Sequence, residues 1–95
     1  MFLICISYTA PLSDVDALLS EHVEWLTSHY ASGDFIASGP QVPRSGGIIL
    51  ARFDTREECQ KAIDTDPFRM VAEHELIEFT PTMMAPGYEA LGAVP

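Results

Sequence analysis

Two residues in this sequence are of a type and placement that could move a proton. His22 lies within "EHVEWL" (21–26), in a stretch whose apolar residues recur at helical spacing. Its position on the apolar stripe, one heptad after Val15 and one before His29, has two readings. It is a buried imidazole satisfied by a single hydrogen bond, or it is a general base with a titration near neutrality. Asp66, in "DTDPF" (64–68), directly precedes Pro67. Proline suits the first position of a helical turn, so Asp66 reads first as the N-cap of a turn starting there. The same carboxylate, once fixed by backbone amides, could also hold a neighbouring imidazole in one tautomer and raise its basicity.

Other chemistries find less support. His22 and His29 are separated by about 10.5 Å along a helix axis, too far to share one zinc ion. His74, between Glu73 and Glu75, reads as a solvated strand start. There is no phosphate-binding glycine loop and no serine or cysteine nucleophile motif. No metal and no organic cofactor are expected. Ser38 and Gly39, at the end of a short strand, read first as a strand-end hydroxyl and turn chemistry. Arg44, in the proline- and glycine-rich loop after them, is a candidate anchor for an anionic or phenolic substrate.

The elements that must position these side chains follow from periodicity. "FLICISY" (2–8) is apolar on both alternating faces, as in a central strand covered on both sides. An amphipathic helix is expected over about 14–32, capped by Ser13 or Asp14 and ended by Gly33. "FIAS" (35–38) is a short strand and "GIILARF" (47–53) a second two-faced one, with Gly46 and Gly47 supplying backbone freedom where the loop re-enters the sheet. Thr55 and Glu58 form a capping box for a second helix whose buried stripe is Cys59, Ala62 and Ile63. A turn or two to about Ala72 precedes a last strand, "HELIEF" (74–79), and the segment from Pro81 onward reads as an extended arm against a partner subunit.

The order strand–helix–strand–strand–helix–strand, with right-handed crossovers, predicts a ferredoxin-like α+β fold. It has a four-stranded antiparallel sheet with both helices on one face and strands 2–8 and 47–53 at its centre. The other face stays apolar with no cover of its own, and 47% hydrophobic residues is generous for 95. A homodimer joined through that face is the expectation. Five basic against fourteen acidic residues leave a charge of −9, which argues against nucleic acid and membrane surfaces as partners. "MFLICISY" is too short to span a bilayer and lacks the features of a signal peptide. Cys5 and Cys59, outside any CxxC spacing, read as free thiols, so a cytoplasmic location is expected.

The helix with "EHVEWL", then "SGDFIASGP" (32–40), "GGIIL" (46–50), "DTDPF" and the closing "IEF" strand together resemble the YCII-related (YciI-like) family over residues 1–80, leaving 81–95 as a C-terminal extension. The resemblance implies a ferredoxin-like fold that dimerises in the manner of the dimeric α/β-barrel proteins. It also implies an active site around a histidine–aspartate pair, here His22 and Asp66, with Ser38 and Gly39 near the same pocket. One class in the family is a dehydrochlorinase of a chlorinated hydroxyhydroquinone, and muconolactone isomerases share a related fold. The expected function is therefore acid/base elimination or isomerisation on a small cyclic or aromatic molecule. The alternative is a non-catalytic dimeric small-molecule binder or accessory module, in which Trp25, Tyr30 and Phe68 seal the pair.

Overall fold

The structure, a computed structural model, describes residues 1–92. Its elements are β1 (Phe2–Tyr8), α1 (Leu12–Ala17), α2 (Leu19–Ala31), β2 (Phe35–Pro40), β3 (Gly46–Ala51), α3 (Arg56–Asp64) and β4 (Ala72–Glu78), with 3₁₀ turns at Pro67–Met70 and Glu89–Gly92. The antiparallel sheet has the order β2-β3-β1-β4, so the two strands that are apolar on both faces are indeed central. This is the order and connectivity of a ferredoxin-like α+β arrangement.

The register sorts the side chains. Ile4 lies opposite Ile49 and Leu76, and Ile6 opposite Gly47 and His74. These positions share one face with Phe2, and against it pack Val15, Trp25, Cys59 and Ile63 from the helices, in one buried cluster. Leu3 lies opposite Leu50 and Ile77, and Cys5 opposite Ile48 and Glu75, on the other face. Leu3, Cys5, Ile48 and Leu50 there are only part-buried, and Ile77 is exposed. Both cysteines are free, and burial ahead of any charge pushes the Cys59 thiol up to about 12. Among the described residues no helix is long and apolar enough to cross a membrane.

The expected single helix over 14–32 is two. Leu18 breaks it, its N–H closing a tighter turn onto the Val15 carbonyl. The start is at Pro11, which has no N–H to leave unpaired, so Ser13 and Asp14 lie inside α1 rather than capping it. The buried stripe runs Val15, His22, Trp25, while Leu19, Val23 and Tyr30 are exposed. Gly33 ends α2 with φ 81°, a conformation that a Cβ disfavours. At the other helix, Thr55 accepts from the Glu58 N–H at 3.2 Å.

The segment after Pro81 turns back on its own chain instead of extending. Arg52 Nη2 donates to the Ala90 carbonyl at 3.1 Å, and Met1, Leu50, Phe79, Tyr88 and Leu91 line a shared cleft. The expectation for positions 93–95 falls outside the described residues.

Gly46 serves a different need from the one its sequence context implied. Its φ is not positive, but a Cβ there would overlap the Ile6 carbonyl oxygen across the β1–β3 ladder. Gly46→Ala is therefore expected to destabilise by about 1–3 kcal/mol, which lowers the melting temperature by about 4–8 °C per kcal/mol in a domain of this size. Gly39→Ala, where a Cβ meets nothing within 4 Å, should leave it within about 0.5 kcal/mol of the parent. Scanning calorimetry of both variants checks the contrast; equal melting temperatures would mean that β1 and β3 have room to spread.

Candidate active site

Asp66 reaches its position because α3 ends at Asp64 and the chain turns at once into the Pro67–Met70 3₁₀ turn. Its Oδ1 accepts the Phe68 N–H at 2.9 Å, so it caps that turn, with Pro67 at the first position. The same carboxylate is fully buried and meets two imidazoles. His22 Nδ1 lies 2.7 Å from Oδ1, and His74 Nε2 lies 2.7 Å from Oδ2. Capping and imidazole binding are thus both present in one side chain.

The carboxylate's charge follows from its partners. Burial pushes the Asp66 pKa up, but the hydrogen bonds from His22, His74 and the Phe68 amide outweigh it and hold the group below the usual carboxylate range. An ionised carboxylate only accepts, so both facing ring nitrogens carry protons and donate. For a neutral His22 this leaves the lone pair on Nε2. The ring is sandwiched: Phe68 stacks on it with centroids 3.7 Å apart and planes 3° apart, and Trp25 stacks at 5.4 Å. Trp25 is itself fixed by its indole N–H, which donates to the Ala62 carbonyl and the Thr65 hydroxyl.

Although only 7% exposed, His22 is not sealed. It lines a cavity of about 420 Å³ between α2 and the sheet, whose wall includes Phe68, Ser38, Gly39 and Arg44. That size falls in the range of small-molecule sites. Ser38 lies opposite Ile49 on the helix-covered face, its hydroxyl 2.6 Å from that of Tyr30. Tyr30 is exposed and bonded to Ser38 but lies outside the cavity wall, so it does not close over His22. Arg44 donates to Asp16 at 2.6 Å and stands 5.9 Å from the Tyr8 ring centroid, so its charge is already paired at the cavity mouth. Among the described residues no group of three or more His, Cys, Asp or Glu side chains is placed to hold a metal.

The sequence placed His22, Asp66, Ser38, Gly39 and Arg44 as candidates, and the fold gathers four around the cavity with Asp66 directly behind His22. It misplaced His74. Far from being solvated, that side chain is 1% exposed. Its acidic neighbours masked the signal that was present: at strand spacing, His74 alternates with Ala72 and Leu76, on the face the helices cover.

Replacing Asp66 with Asn keeps a cap acceptor but confronts ring N–H donors with an amide N–H₂. The expected cost at pH 7 is about 1–3 kcal/mol. Because the folded-state pKa lies below the unfolded value of about 3.9, the carboxylate's contribution is complete above that pH and is lost as pH falls through the folded value. Urea unfolding at pH 7 and pH 3 should therefore show the gap between the parent and Asp66→Asn narrowing in acid. A gap that widens there would contradict the ionised assignment.

The arrangement of elements has a solved counterpart. The fold superposes, with a TM-score of 0.70 at 14% identity, on the 5-chloro-2-hydroxyhydroquinone dehydrochlorinase TftG from Burkholderia phenoliruptrix AC1100, solved in complex with 2,5-dihydroxybenzoquinone. The match covers 84% of this chain and 94% of that one. No curated protein matches the sequence. The family model of the YCII-related domain matches residues 1–80, and the chain belongs to that family.

Proposed function

We propose that the protein is a small enzyme in which His22 is the general acid/base and Asp66 its orienting partner. The observation that carries this reading is that one imidazole joins a buried carboxylate on one side and an open cavity on the other. In an elimination, Nε2 of His22 accepts a proton from the substrate. The electron pair of the broken bond becomes a new π bond, and the leaving group departs with its own pair. Asp66 stabilises the imidazolium and is not itself protonated. An isomerisation uses the same nitrogen to return the proton at another carbon. No step of this scheme calls for a metal or organic cofactor.

The cavity wall supports a small cyclic or aromatic substrate. The Phe68 ring and the aliphatic side chains of Ile6 and Leu26 offer apolar surface, and the Ser38 hydroxyl, itself bonded to that of Tyr30, offers a contact for a ring oxygen. Gly39 leaves its part of the wall open, and the free N–H groups of Arg44 reach a phenolate without leaving Asp16. TftG, a dehydrochlorinase of the same fold, supports elimination as the reaction to test first. The test is chloride release from 5-chloro-2-hydroxyhydroquinone, together with a panel of other hydroxylated aromatics and lactones. His22→Gln should lower turnover by about 10²–10⁴-fold. Binding without turnover across the panel, unaffected by His22→Gln, would instead mark a non-catalytic binding module.

The second part of the proposal is a homodimer through the open sheet face. Leu3, Cys5, Ile48, Leu50 and Ile77 form an apolar band there that the helices do not cover, and the turned-back tail reaches only its Leu50 end. Light scattering should give twice the 10.4 kDa chain mass. Leu3→Arg, which puts a charge mid-band, should return the protein to the single-chain mass while it remains folded; a parent that is itself monomeric would end this part of the proposal.

A further inference from the structure

The three hydrogen bonds to Asp66 are not shared evenly between its oxygens. Oδ1 receives both the Phe68 amide and His22. Oδ2 receives His74 alone. A carboxylate held only through Oδ1 is less restrained in rotation about its Cβ–Cγ bond, and each rotation changes the direction in which Oδ1 meets the His22 ring. The bond to Oδ2 is a second point of attachment that tightens that restraint.

We infer that His74 is a positioning residue for His22: its Nε2–H pins Oδ2 of Asp66 and thereby holds Oδ1 in the orientation that keeps the proton of His22 on Nδ1 and the lone pair on Nε2. The inference rests on the acid/base reading of His22. His74 is suited to the task by where its backbone lies. It pairs with Ile6 of the central strand, so the β1–β4 ladder fixes the position of its backbone. Its other nitrogen, Nδ1, is buried and meets no partner among the described residues. A proton there would have no acceptor, so the neutral ring favours the tautomer protonated on Nε2, the one that Asp66 requires. The arrangement is a chain of two imidazoles through one carboxylate, the outer ring locked by the sheet and the inner one open to the cavity.

Long-range ¹H–¹⁵N spectra of ¹⁵N-labelled protein, recorded above the pH at which the imidazoles titrate, read the tautomers directly. In the parent, His22 should show a protonated Nδ1 and an unprotonated Nε2, and His74 the reverse. In His74→Leu the two His22 nitrogen shifts should move towards each other as both tautomers become populated, and His74→Gln, which keeps an N–H at the Nε2 position, should restore their separation. A folded His74→Leu protein with unchanged His22 shifts would overturn the positioning role while leaving the acid/base reading intact. Averaged His22 shifts already in the parent would overturn both. Should His74→Leu not fold, the parent spectrum still decides: an unprotonated Nε2 on His74 refutes the inference, and a protonated one with Nδ1 bare supports it.

Discussion

The Asp66 carboxylate is the constraint on which the rest of the site depends. A buried anion is costly unless its lone pairs are occupied, and three donors supply that occupancy. They come from three different places: the 3₁₀ turn after α3, helix α2 and strand β4. Satisfying one charge thus ties two crossovers and an edge strand to a common point. Among the described residues Asp66 and His22 are the polar residues that are buried as a whole, in a core cluster otherwise aliphatic, aromatic and one thiol.

The aromatic packing around that point has a further consequence. Phe68 follows Asp66 by two residues, so the turn that presents the carboxylate also lays a ring on His22. Trp25, one turn along α2, covers the other side and is anchored to the end of α3. The imidazole is left with little freedom except at its cavity edge. Orientation of this kind is what proton transfer requires, because a base must meet the substrate at hydrogen-bond distance in a defined direction.

The two sheet faces divide the labour. Helices cover the face carrying Ile4, Ile6, Ser38 and His74, and the cavity opens where α2 stands away from the sheet above Ile6 and Ile49. The opposite face, with Leu3, Leu50 and Ile77, has no part in that cavity, so association through it would leave the His22 side open. Ile48, which borders both, is the exception.

How much of this was legible in the residues differs by element. The short apolar runs in "FLICISY" and "GIILARF" were enough to find the central strands, because a short β-branched run apolar on both faces suits a strand in the middle of a sheet. Proline after Asp66 identified the cap, a local interaction within three residues. Local signals failed where the deciding contact was remote. The burial of Trp25 depends on what α3 and β2 present to α2. The placement of His74 depends on strand register, which turns it back onto Asp66 eight residues earlier; flanked by two glutamates, it carries only a weak alternation with Leu76. By itself, then, the sequence determined the strand and helix order, the capping of the turn at Asp66 and the candidacy of His22. Only the tertiary structure decided which oxygen each histidine binds, that the cavity reaches His22, and that Arg44 is already paired, because those are matters of distance between segments that no local pattern encodes.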